Sequence, residues 1–111
     1  MTYEIQLINS QEKLLLDKNV YDYLASDPEL TEIDFLNTLE VNSKGTVVFK
    51  QRWKEEDGSY IFETTYLHKL IADKFLPRKR NNQILAFRNG NQLDCRLENM
   101  EYRNRLIAKW N

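Results

Sequence analysis

Apolar and polar residues alternate over several short stretches of this chain, which is the pattern of half-buried strands. Residues 3–7 alternate in this way, and residues 14–16 form a second short apolar run. A strand is also expected over residues 35–41, just before a group of turn-forming residues. The pattern predicts a small single domain of the α+β class with antiparallel strands.

A β-hairpin is predicted from residues 46–53 and 59–66, joined through the turn residues Asp57-Gly58. Alternation places the cations of the first strand on one face: Lys50, Arg52 and Lys54. It also places three aromatic residues of the second strand on one face: Tyr60, Phe62 and Tyr66. We predict that one side of the hairpin is aromatic and the other basic. A twisted hairpin with a basic face fits a DNA major groove, and a solvated outer face is the alternative.

Helices are predicted where apolar residues recur at helical spacing. Asp17 is the predicted N-cap of a helix of about ten residues that ends at Asp27-Pro28. Thr65 is the predicted N-cap of a second helix, whose apolar stripe reaches Phe75. A third, short helix is predicted over residues 103–111.

Residues 83–104 predict a strand, a loop and a second strand, with a turn at Asn89-Gly90. This segment resembles the core of the HNH endonucleases of phages and mobile introns. Asn89-Gly90-Asn91 matches the family's Asp-Gly-Asn turn, and residues 67–75 resemble the helix that the family writes as His-Arg-Leu-Val-Ala followed by Phe. Three residues match the segment after the turn: Asp94, Arg96 and Asn99. The resemblance covers residues 45–108 and implies an HNH-like ββα finger.

Three positions depart from the family's pattern. The general-base His falls on Phe87, the metal-binding Asp or Asn before it falls on Ala86, and a second metal-binding Asn aligns near Ala108. A one-metal nuclease needs oxygen or nitrogen ligands for a hard cation and a base that activates water. Methyl groups and a phenyl ring supply neither. The resemblance therefore implies a degenerate finger with no catalytic residue, metal ion or cofactor.

The charges are divided unevenly along the chain. Residues 1–43 carry nine acidic residues and two lysines, a net charge of −7, whereas residues 44–111 carry fourteen Lys and Arg against eight acids, a net charge of +6. We predict an acidic N-terminal portion, 1–43, and a basic portion, 44–111, of the same domain. A basic surface is what binding to a polyanion requires. The acidic run is either a solvated face or a surface for a partner.

Other features limit the classes of protein to be considered. No apolar run approaches the length of a membrane span, the N-terminus lacks a signal-peptide pattern, and one cysteine excludes an internal disulfide. We therefore expect a cytoplasmic protein without a membrane partner. Cys95 is predicted to be a buried apolar residue. His68, the single histidine, is predicted to make a structural hydrogen bond rather than to bind a metal, because no ligand cluster accompanies it.

Together these features predict a nucleic-acid-binding module, with double-stranded DNA as the expected partner and without nuclease activity. The predicted contact residues are cations of the hairpin, of the loop after the second helix and of the finger: Lys50, Arg52, Lys54, Arg78, Lys79, Arg80, Arg88, Arg103 and Arg105. Most would contact phosphates. One alternative is a protein-interaction or regulatory module whose acidic half binds a basic partner. Another is an HNH-type endonuclease with residual activity.

Overall fold

The computed structural model describes residues 1–78 and 80–104 of the chain. These residues form three antiparallel sheets and three helices, so the predicted α+β class is confirmed. No helix among them is long and apolar enough to cross a membrane. Lys79, Arg105 and Ala108 lie outside the described residues. In chain order the elements are β1 (Thr2–Gln6), β2 (Lys13–Asp17), α1 (Lys18–Ser26), α2 (Pro28–Glu32), β3 (Glu40–Val41), β4 (Val47–Lys54), β5 (Tyr60–Tyr66), α3 (Leu67–Phe75), β6 (Gln83–Phe87) and β7 (Met100–Asn104).

The N-terminal portion is a hairpin of β1 and β2 followed directly by α1. One face of β2 and one stripe of α1 enter the core, where their side chains are almost fully buried: Leu14, Leu16, Val20 and Leu24. Asp17 precedes α1 as predicted, but its side chain does not cap this helix. Asp27 ends α1 and caps α2 instead, because its Oδ1 accepts hydrogen bonds from the backbone N–H groups of Glu29 and Leu30.

The predicted strand over residues 35–41 is wrong, apart from its last two residues, which form β3. Asp34 adopts a left-handed backbone conformation with φ of 55°, and a 3-10 turn follows at Phe35–Asn37. The Thr38 hydroxyl donates to the Asp34 carbonyl at 2.8 Å and so holds this turn. The bend in this apolar run places Phe35 in the core, where the centroid of its ring lies 5.0 Å from that of Phe49.

The central sheet has the strand order β3-β4-β5. Its inner end lies in the core, where Val47, Val48 and Phe49 are buried. The outer end of the β4–β5 hairpin is exposed to solvent on both faces, since every residue from Arg52 to Thr64 is exposed. The hairpin therefore projects from the domain as an arm with a buried base.

The junction between β5 and α3 differs from the prediction. Thr65 belongs to β5, and Tyr66 occupies the N-cap position of α3 without a capping hydrogen bond from its side chain. The strand passes into the helix without a loop because Leu67 and Ile71 are buried in the core, so packing stabilises the start of this helix.

The predicted strand, loop and strand of the C-terminal region are confirmed as β6, residues 88–99 and β7. Arg103 and Asn104 belong to β7, so the predicted C-terminal helix does not begin at Arg103; its other residues lie outside the described ones. The loop is joined to the N-terminal hairpin by backbone hydrogen bonds between Leu15 and two of its residues, Leu93 at 2.8 Å and Cys95 at 3.0 Å. Cys95 is fully buried, as predicted. The acidic and basic portions thus contribute to one core.

Candidate nucleic-acid interface

The two faces of the β4–β5 hairpin are composed differently from the prediction. Opposite residues of an antiparallel pair project to the same face, and the register pairs Lys54 with Tyr60 and Arg52 with Phe62. The cations and the aromatic rings therefore share one face, and the predicted separation into an aromatic side and a basic side is wrong. We call this surface the cation–aromatic face; it comprises Lys50, Arg52, Lys54, Tyr60, Phe62, Thr64 and Tyr66.

Cations lie against aromatic rings along the cation–aromatic face. The Arg52 guanidinium is 5.0 Å from the centroid of the Tyr60 ring, and the Tyr60 and Phe62 centroids are 6.4 Å apart. The guanidinium lies over one face of the Tyr60 ring and is attracted to it, so a cation and aromatic rings stand side by side on this surface. Lys50 is partly neutralised at the base of the arm, because its Nζ lies 3.4 Å from a carboxylate oxygen of Glu40.

Tyr66 and Lys69 connect this face to the β6–β7 hairpin. The Lys69 ammonium lies 5.0 Å from the centroid of the Tyr66 ring. Rings then follow one another towards β6: Tyr66 contacts His68, and His68 contacts Phe87, with centroid separations of 6.2 and 5.3 Å. Sequence reasoning missed Lys69, although its place in the helix after a hairpin was visible in the sequence.

A cleft of about 370 Å³ opens between α3 and the β6–β7 hairpin. Lys69 and Arg78 line it together with one acid, Asp73. The Arg78 guanidinium lies 5.3 Å from the centroid of the Tyr102 ring. Arg80 is exposed in the following loop. Two of the predicted loop cations are therefore at or near the cleft.

Two further predicted cations lie on the outer face of β6 and β7. Alternation turns Leu85 and Phe87 towards the core, so Arg88 and Arg103 project from the opposite face. Both contact Glu101, at 3.8 Å from Arg88 and 3.0 Å from Arg103. This one carboxylate offsets about half of the combined charge of the two arginines. We therefore expect this face to attract an anion less strongly than the β4–β5 hairpin does.

Two of the three positions at which the resemblance expects catalytic groups, Ala86 and Phe87, are half-buried, and the third, Ala108, lies outside the described residues. The Phe87 ring packs against the core and against His68. Burial, and then the charge of Lys69, lower the pKa of His68. Among residues 1–78 and 80–104, no group of three or more His, Cys, Asp and Glu side chains is placed to hold a metal ion.

The residues that match the HNH pattern after the turn form a hydrogen-bonded network inside the 88–99 loop. Asp94 is only 2% exposed, and Arg96 donates to both of its carboxylate oxygens at 2.7 Å. Asn89 donates to Asp94 at 3.1 Å, and the Asn99 amide donates to the Asp94 carbonyl at 2.9 Å. Asn91 accepts a hydrogen bond from the Leu93 N–H at 3.1 Å. These residues shape the loop and leave little hydrogen-bonding capacity for a ligand.

The same network sets the ionisation of its members. The hydrogen bonds from Arg96 hold the pKa of Asp94 below its ordinary value, and the pairing raises the pKa of Arg96.

Burial raises the pKa of the Cys95 thiol to about 12, so this sulfur is protonated and unreactive at neutral pH.

Several acids of the N-terminal portion have local structural roles. Asp22 pairs with Lys18 at 2.6 Å, and Asp34 accepts a hydrogen bond from the Asn37 amide at 2.7 Å. Asp27 caps α2. These roles account for three of the acids without a partner protein.

Comparisons with protein-family models, with curated proteins and with solved structures find no match to this chain.

Proposed function

We propose that this chain binds nucleic acid, with double-stranded DNA as its main partner, on an HNH-like scaffold that does not cut. The observation that carries the proposal is the cation–aromatic face, where Arg52 and Lys54 stand exposed beside aromatic rings. Lys69 extends this surface to the cleft that holds Arg78. Cations spread over a hairpin and an adjoining cleft suit the phosphates of a duplex backbone.

The proposal that the scaffold does not cut rests on the chemistry of two positions. Ala86 and Phe87 stand where the resemblance expects a metal ligand and a general base, and neither side chain can bind a hard cation or accept a proton. The loop residues that do match the family, Asp94 and Arg96, are paired with each other. The binding surface and the degenerate site are therefore independent parts of the proposal.

Salt dependence of duplex binding tests the proposal. If the surface neutralises about four to six phosphates, log affinity should fall with log salt at a slope of roughly −4 to −5. Replacing both Arg52 and Lys54 by Ala should flatten that slope by about two units and change sequence preference little.

The matched control is the double change Lys13→Ala and Lys18→Ala, which removes the same charge from the N-terminal portion. It should leave the slope as in the parent. A dissociation constant weaker than about 10⁻⁴ M at 50 mM salt would rule out the proposed function, because even non-specific DNA binding is usually at least that tight. An equal loss in the control would show that net charge, and not this face, governs binding.

A further inference from the structure

The aromatic rings at the outer end of the hairpin are unusually exposed. Phe62 is 71% exposed and Tyr60 is 48% exposed, although a phenyl ring in water is unfavourable. Neither ring belongs to the hydrophobic core or packs against it as a partly buried residue. Their exposure is therefore not explained by the folding of this domain.

The spacing of these two rings fits unstacked bases better than bases paired in a duplex. Their centroids are 6.4 Å apart, close to the distance between alternate residues of a strand. Successive bases on one strand of a duplex are about 3.4 Å apart and already stack on both sides. A base paired inside a duplex therefore has no free face for either ring, whereas consecutive unpaired bases can each cover one.

The charges around the rings match a nucleic acid. Arg52 and Lys54 lie directly opposite Phe62 and Tyr60, and the acid of β5, Glu63, projects to the other face beside Gln51. The turn beyond the rings carries three acids: Glu55, Glu56 and Asp57. A polyanion on this face should therefore run inward, towards Lys69, and not over the turn.

We infer that the cation–aromatic face binds unpaired bases, with Tyr60 and Phe62 stacking on the bases and with Arg52 and Lys54 contacting the flanking phosphates. This inference rests on the proposed function in that it requires the same face to bind nucleic acid. It adds a substrate class, which is single-stranded DNA or RNA, or a duplex that contains an unpaired segment. Stacking on aromatic side chains is tolerant of sequence, because every base has a π-face.

The test compares three fluorescent DNA probes by anisotropy titration: a single strand, its perfect duplex, and the same duplex with a short central bubble. Phe62→Ala should weaken binding to the single strand and to the bubble by about 5- to 150-fold, the effect of losing one stacked base. It should leave binding to the perfect duplex unchanged. Ile61→Ala is the matched control, because Ile61 is an exposed apolar neighbour, 48% accessible, on the opposite face.

The outcomes separate this inference from the proposed function. If the parent binds the duplex and Phe62→Ala binds all three probes as the parent does, the inference is overturned and the proposed function stands. If the parent binds only the single strand and the bubble, and Phe62→Ala loses that binding, the inference holds and duplex DNA is not the main partner. Equal losses in Ile61→Ala, or no binding to any probe, overturn the inference. Self-association of the parent that Phe62→Ala abolishes would also overturn the inference, because a second copy of the chain would then cover the rings.

Discussion

The imidazole of His68 lies against the phenyl ring of Phe87, with 5.3 Å between the ring centroids and 47° between the ring planes. The contact joins α3, the helix that follows the β4–β5 hairpin, to β6. It also places the single histidine of the chain beside the position at which the HNH resemblance expects the general base. An apolar ring occupies that position, and the histidine itself is half-buried.

Replacing Phe87 by Ala should lower the free energy of unfolding by about 2–3 kcal/mol, less than the 3–5 kcal/mol typical of a fully buried Phe, because this ring is only half-buried. Urea denaturation followed by circular dichroism measures the change. Phe62→Ala is the control for ring size, and it should alter stability by less than about 0.5 kcal/mol because Phe62 is exposed. Equal effects of the two changes would contradict the packing described for Phe87.

The stability of the domain should fall as the pH is lowered below about 6.5, the ordinary pKa of histidine. Burial lowers the pKa of His68 in the folded state, so below that pH the unfolded chain binds the proton more readily. The decline should continue until the pH reaches the lower, folded pKa. His68→Phe keeps a ring against Phe87 and removes the titration, so it should abolish the decline in denaturation curves recorded from pH 7.5 to 5. Lys69→Gln should retain most of the decline, because burial lowers the pKa of His68 more than the charge of Lys69 does.

Asp94→Asn should destabilise the domain by about 1–3 kcal/mol at neutral pH, since it weakens the buried network of the 88–99 loop. The pKa of Asp94 is lowered in the folded state, so its contribution is complete above about pH 4 and is lost as the pH falls further. Thermal unfolding from pH 5 to 2 should therefore show a weaker acid dependence in Asp94→Asn than in the parent. Glu98→Gln removes an exposed carboxylate that also contacts Arg96, and it should keep the acid dependence of the parent.

Pure protein should not nick plasmid DNA in the presence of Mg²⁺, Mn²⁺ or Zn²⁺. The reason is chemical: Ala86 and Phe87 offer no metal ligand and no base. The measurement is conversion of supercoiled plasmid to the relaxed form, compared with a mock purification. Nicking that a point change in this domain abolishes would show that other residues, such as Asp94, Glu98 or His68, had been recruited.

The hairpin shows how far the sequence could predict the interface. The alternation predicted within β4 and within β5 is correct at each residue. The predicted turn at Asp57-Gly58 is also present, with Gly58 at φ of 90°. The relation between the two strands depends on the register, which pairs Lys54 with Tyr60 across a five-residue loop. A shift of one residue would have moved the aromatic rings to the other face. Strand-by-strand periodicity does not contain this information.

The segment around Phe35 was mispredicted for a different reason. A short apolar run has the same composition whether it is a strand or an irregular turn that buries a side chain. The left-handed conformation of Asp34 and the hydrogen bond of the Thr38 hydroxyl form a turn here, and Phe35 within it packs against Phe49. The network of the 88–99 loop was likewise invisible as a set of contacts, although the residues that compose it stood out in the sequence.

The hydrogen bond from the Leu97 N–H to the Asp17 carboxylate, 2.7 Å long, joins residues that are 80 positions apart. During synthesis, β2 leaves the ribosome long before the loop that pairs with it. The hairpins can form locally, whereas docking of the 88–99 loop must await closure of this long segment, which is slow and entropically costly. Until then the edge of β2 at Leu15 is open to pairing with other chains. We therefore expect the nascent domain to be most prone to aggregation just before residues 93–97 emerge.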